Sequence, residues 1–224
     1  MIENFVLIAN LSSFIPLAIF LYHLSLTKNV NYAKAVAGAS VYALLIFGYY
    51  LAFPHHVNKY FDAVNYFGEF LAFSTIFYFS FNGSLFRKIV LFAGIAFVLF
   101  FIIYLSAFVI TELDPIINSV KSIILIVLAL LVFYEKFQME TDKVIYYDHK
   151  FWGIIGLIIF ICGTFLFYLV YTEYYLEMQK LEGIPLTLYV LKNIFLSISM
   201  LLLIKQIKKS SGRKEKDIPF LDLE

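Results

Sequence analysis

Four ionisable side chains stand inside runs that are otherwise apolar: Asp62, Glu69, Lys121 and Lys192. An ionised group in hydrocarbon costs at least about 2.5–3.5 kcal/mol, so each should face a protein interior and meet a partner there. Asp62, Asn65, Tyr66 and Glu69 fall at i, i+3, i+4 and i+7, which is one face of a helix. Asn118, Lys121 and Ser122 share a face of a second helix. Lys192 and Asn193 stand together in a third, with Tyr189 and Ser197 one turn to either side of Asn193. Asn10 and Ser13 of the first apolar run complete the polar set. Carboxylates, amines and amides at similar depth can bind a small ligand or an ion, or can join helices by buried hydrogen bonds. Both readings stay open. In either, Glu69 is expected to pair with Lys192 or Lys121.

Other chemistry finds less support. A general acid and base could be drawn from Asp62 and Glu69, but no Ser/His/Asp set and no metal-ligand set occurs at helical spacing. Cys162 is the single cysteine, which excludes an intrachain disulfide and argues against a Cys/His metal site. No cofactor is implied. His23 reads as interfacial or structural. His55 and His56, after Pro54, offer a pH-sensing pair, but read first as a solvated loop.

Helices in lipid must carry these residues. Of 224 residues, 62% are hydrophobic and 15% are charged. Soluble domains have about 45–50% apolar and 25% charged residues, and a core of this size cannot hide the excess. Seven segments are long enough to cross about 30 Å of hydrocarbon at 1.5 Å per residue. They are Phe5–Leu26, Ala35–Phe53, Phe61–Phe81, Ile89–Ile110, Pro115–Tyr134, Phe151–Tyr171 and Leu186–Ile204. The first has no basic region before it and reads as a retained helix bent at Pro16. Ser84 is an N-cap candidate for the fourth, Asp114-Pro115 opens the fifth, and Asp148 can cap the sixth. The sixth is expected to run on through Glu173, Glu177 and Lys180 to Gly183. The expected fold is all-α: a seven-helix transmembrane domain over 1–204 and a basic, partly disordered tail over 205–224.

Lysines and arginines orient the bundle. One side receives Lys28, Lys34, Arg87, Lys88, Lys136, Lys143, Lys150 and the basic tail; the other receives only Lys59 and Lys180. The positive side is cytoplasmic, so the N-terminus is expected outside and the C-terminus inside, in a bacterial inner membrane. Tyrosines near the segment ends, among them Tyr49, Tyr50, Tyr60, Tyr146, Tyr147 and Tyr171, fit an interfacial belt. In this orientation Glu69, Lys192 and Lys121 all lie in the outer half of the membrane, at similar depth. The site is therefore expected to be a polar cavity opening outward.

The stretches Phe151-Trp152-Gly153, Ile158 through Phe167, Leu191-Lys192-Asn193-Ile194 and Tyr66-Phe67-Gly68-Glu69-Phe70 resemble a group of uncharacterised small bacterial seven-helix membrane proteins. The resemblance implies the same architecture and, in some relatives, a gene position beside two-component sensor kinases. It implies no defined activity. Glu69, Lys192 and Asn193 match its polar positions. Microbial rhodopsins fit less well: Leu188 stands one turn before Lys192 where they carry Asp, and no Trp is placed to sandwich a retinal. PQ-loop transporters would need a Pro-Gln pair, and the zinc amide hydrolases of membranes would need several histidines.

Three functions follow for comparison. A sensor or signalling-accessory module would bind a small ligand or ion in the cavity and, lacking an output domain, would need a membrane or cytoplasmic partner. A secondary transporter or channel subunit would use the charges for coupling, but no helix is broken by Gly or Pro near the membrane centre. A lipid-acting enzyme is the weakest. Beyond the lipid bilayer itself, nucleic acid is not an expected partner.

Overall fold

The computed structural model describes residues 2–53, 59–107, 115–139, 148–171 and 183–216. Among these, the regular structure is entirely helical. The helices are α1 (Ile2–Leu11), α2 (Phe14–Tyr22), α3 (Leu24–Thr27), α4 (Asn31–Ala52), α5 (Lys59–Ser80), α6 (Ser84–Ala107), α7 (Pro115–Met139), α8 (His149–Tyr171) and α9 (Gly183–Lys216). Five of them, α4, α6, α7, α8 and α9, are long and apolar enough to cross a membrane. Val6–Tyr22 is a shorter apolar stretch spread over α1 and α2. α5 has comparable length but carries Lys59, Asp62 and Glu69.

The first expected span is broken rather than bent. Pro16 has no N–H and its ring crowds the carbonyl four residues earlier, at Ser12. The Ser12 carbonyl instead accepts from the Ile15 N–H at 3.1 Å, and the chain turns at Ser12-Ser13 before α2 begins. A second break falls at His23, whose carbonyl accepts from Leu26 and Thr27. Breaks of this kind survive in an apolar setting only where the freed polar groups find other partners; here the Asn10 and Ser12 carbonyls accept from Ser13 and Ile15 within the turn, and the Ser12 hydroxyl donates to the Ala9 carbonyl.

From α4 onward the helices alternate in direction. Tyr50 near the end of α4 bonds Asp62 near the start of α5, while Tyr32 near the start of α4 meets His149 and Ser199. The centre is aromatic: Phe70, Phe77, Phe81 and Phe97 are fully buried, and Phe70 stacks on Phe97 at 4.0 Å. Leu45, Phe92, Ile103 and Leu166 are exposed along α4, α6 and α8. Where the surroundings are as apolar as the core, burial supplies little, and close packing holds helices together. Gly156 lets α8 approach α9 closely; a Cβ there would lie 2.5 Å from the Phe195 Cβ and 3.2 Å from the Lys192 carbonyl.

Helix ends mostly follow their local chemistry. Asp148 caps α8: its side chain accepts from the Lys150 N–H at 3.0 Å and its carbonyl from Phe151 at 3.1 Å. Pro115 opens α7. Ser84 is not the N-cap of α6 but its first residue, because the Gly83 carbonyl takes the first helical bond, from Arg87. α9 continues past Ile204 through Lys216 where a partly disordered tail is expected. His55, His56, Asp114, Lys143, Glu173, Glu177, Lys180 and Glu182 lie outside the described residues.

Candidate functional site

Glu69 pairs with Lys121. The α5 carboxylate accepts directly from the α7 ammonium, and the two side chains are only 19% and 7% exposed. The ammonium also stands 4.8 Å from the centre of the Tyr66 ring, whose face carries partial negative charge. The rest of the α5 polar face turns to α4. Asp62 accepts from the Tyr50 hydroxyl at 3.1 Å, and the Tyr42 hydroxyl donates to Asn65 through its side-chain oxygen at 2.9 Å and its carbonyl at 3.0 Å. Asn118 is buried on α7. The hydroxyls of Tyr66 and Ser122 are buried without a hydrogen-bond partner among the described residues.

Lys192 takes a different environment. Its side chain is buried on α9, and its ammonium lies 3.7 Å from the ring centre of Tyr189, 4.6 Å from Phe160 and 5.3 Å from Phe73. These rings brace one another edge to face, Phe160 against Phe73 at 5.9 Å and against Tyr189 at 5.7 Å. A desolvated cation over an aromatic face gains about 2 kcal/mol or more. Among the described residues, no carboxylate lies within ion-pair distance of Lys192.

Asn193, next in the chain, points elsewhere. Its amide donates to Ser12 at 2.7 Å and Ser13 at 3.1 Å, and the Tyr189 hydroxyl shares a 3.1 Å bond with Ser13. These contacts fasten the α1–α2 break to α9, so Asn193 serves the fold around Lys192.

Two cavities meet at this cluster. The larger, about 340 Å³, lies between α1, α4, α5 and α9 and reaches from Tyr50 and Leu51 to Ala39 and Phe73. Lys192, Glu69 and Tyr42 stand on its wall. The smaller, about 190 Å³, is bordered by Tyr66, Asn118, Lys121 and Thr164. Asn10, Asn65, Glu69 and Tyr189 border both. One turn beyond the larger cavity, Val36, Ile76 and Phe77 are fully buried.

A second polar cluster at the opposite end escapes the sequence reading. Glu135, 1% exposed, accepts from the backbone N–H groups of Asn82 at 3.0 Å and Gly83 at 2.6 Å. Lys136 pairs with Asp148. Lys150 donates to the Ser80 carbonyl and to Asn82, both at 3.1 Å. His149 meets Gln206 at 2.8 Å, and Ser199 bonds both the His149 carbonyl and Tyr32. Burial alone would raise the Asp148 carboxyl, but the Lys136 ammonium and the Lys150 N–H together hold it below the usual carboxylate value. A signal was present in the heptad-like face Leu125, Leu128, Val132, Glu135, which carries a carboxylate in line with the core.

Antiparallel apolar helices with outward hydrophobic flanks and inward charges define a multi-pass helical membrane protein in contact with a lipid bilayer. Comparison with protein-family models, curated proteins and solved structures gives no match for this chain.

Proposed function

We propose that this chain is a sensor or signalling-accessory module of seven membrane-spanning segments, with its N-terminus outside and its C-terminus in the bacterial cytoplasm. The larger cavity takes a small ligand that carries an anionic group. The observation behind this reading is Lys192: a buried ammonium on a cavity wall, surrounded by aromatic rings, with no carboxylate within ion-pair distance among the described residues and Glu69 on the same wall. Glu69 is already occupied by Lys121. An anion entering beside Lys192 would neutralise a charge whose burial is otherwise costly.

The charge distribution of the connections supports placing the cavity on the outer side. Val36, Ile76 and Phe77 below it favour a blind pocket over a transport path. α9 offers the readout, since it runs unbroken for 34 residues from the cavity to the basic end. From Lys192 to Lys216 that is roughly 36 Å of rigid helix. A signalling partner at that end is part of this proposal, in keeping with the gene position beside sensor kinases that the resemblance implies for some relatives.

The test is ligand-dependent thermal stabilisation of purified protein, using a panel of small carboxylates and phosphate esters on the wild type and Lys192→Met. A ligand at 100 times its Kd should add about 2.7 kcal/mol to wild-type stability and nothing to the variant. If no anion stabilises the wild type, or if Lys192→Met responds equally, the reading fails.

A further inference from the structure

A groove of about 470 Å³ runs along the outside of the bundle between α5 and α6, remote from the polar cavities. Its walls are apolar, from Leu71 and Leu99 at mid-membrane depth to Tyr78 and Val90 near the α5–α6 turn. Gly94 leaves part of it open: a Cβ there would meet nothing within 4 Å. The Ser74 hydroxyl borders the groove and is buried without a hydrogen-bond partner among the described residues.

The groove ends beside fixed positive charge. The Arg87 guanidinium lies 5.8 Å from the centre of the Tyr78 ring. Nε and Nη2 of Arg87 both donate to the Phe81 carbonyl, at 3.0 and 2.9 Å, which holds the planar group in place with Nη1 uncommitted among the described residues. Lys88 follows in sequence, and Lys150 donates to Ser80 and Asn82 in the same turn. Glu135 is committed to the turn's backbone and Asp148 to Lys136, so the basic groups outnumber the acidic ones here.

We infer that the α5–α6 groove is a binding site for one anionic phospholipid, with an acyl chain laid against Gly94 and Ser74 and the phosphate held by Arg87. Arg87 stands one turn before Val90 and Leu91 on the same helix, and Tyr78 joins it to the groove, so the charge follows the apolar channel as a head group follows an acyl chain. An oriented guanidinium is the side chain best suited to recognise a phosphate. A transmembrane helix of another protein would fill the same channel but would not need the arginine.

Native mass spectrometry of protein from bilayers of equal phosphatidylglycerol and phosphatidylcholine tests this. Wild type should retain one phosphatidylglycerol in preference to phosphatidylcholine. Gly94→Phe, which fills the groove from an open position, should abolish retention of both. Arg87→Gln should weaken phosphatidylglycerol retention about fivefold while sparing phosphatidylcholine, as expected for one basic residue at the head group. Undiminished phosphatidylglycerol in Gly94→Phe overturns the proposal. So does a wild type with no head-group preference.

Discussion

Glu69→Gln removes one charge from the buried α5–α7 pair while keeping nearly the same volume. The Lys121 ammonium is then left with the Tyr66 ring at 4.8 Å and no carboxylate. An exposed ion pair would contribute about 0.2–1 kcal/mol. Breaking a buried one by removing a single partner costs about 3–5 kcal/mol, because the remaining charge is stranded. At 19% and 7% exposure this pair belongs to the buried class, and the cavities beside Glu69 place it at the lower end, about 3 kcal/mol. For a chain of this size that lowers Tm by roughly 6–12 °C. Thermal denaturation in one detergent should give this drop for Glu69→Gln and a similar one for Lys121→Met. The double variant strands no charge and should be more stable than either single one, with a coupling energy above about 1.5 kcal/mol. Single variants that each lose under 1 kcal/mol and add without coupling would refute the reasoning.

Other substitutions probe the remaining contacts. Glu135→Gln weakens two charge-assisted bonds to the α5–α6 turn and should cost about 1.5–3 kcal/mol in a denaturation assay. Asp148 has a folded pKa below its unfolded one, so its contribution is complete above about pH 4 and fades as the pH falls through the lower folded value. Asp148→Asn should therefore melt below wild type at pH 7, with the gap narrowing toward pH 3. Gly156→Ala places a methyl against Phe195 and the Lys192 carbonyl and should cost about 1–3 kcal/mol. Gly48→Ala, where a Cβ meets nothing within 4 Å, should leave Tm unchanged or raise it.

Periodicity made the α5 face legible, because Asp62, Asn65, Tyr66 and Glu69 sit on one helical stripe whatever that stripe touches. Helix rise brought Lys121 and Lys192 to similar depth, but could not choose between them. That choice rests on rotation of α7 and α9 about their axes, which packing at Gly156 and the α1–α2 break decides. Pro16 announced a disturbance, and its displacement to Ser12 follows from the carbonyl four residues back. Asn193 looked equivalent to Lys192 in sequence, yet adjacent helix positions point about 100° apart. The Glu135 cluster was hidden for a related reason. Its members lie on α4, α7, α8, α9 and the α5–α6 turn, and near helix ends their charges read equally well as solvated topology signals.

The most direct measurement is a high-resolution map of the protein in lipid nanodiscs, prepared with whichever anion stabilises it best. The account requires non-protein density in the larger cavity, with an anionic group within about 3 Å of the Lys192 ammonium and Glu69 still on Lys121. A cavity filled by side chains, or Lys192 turned out of it toward lipid, would contradict the account.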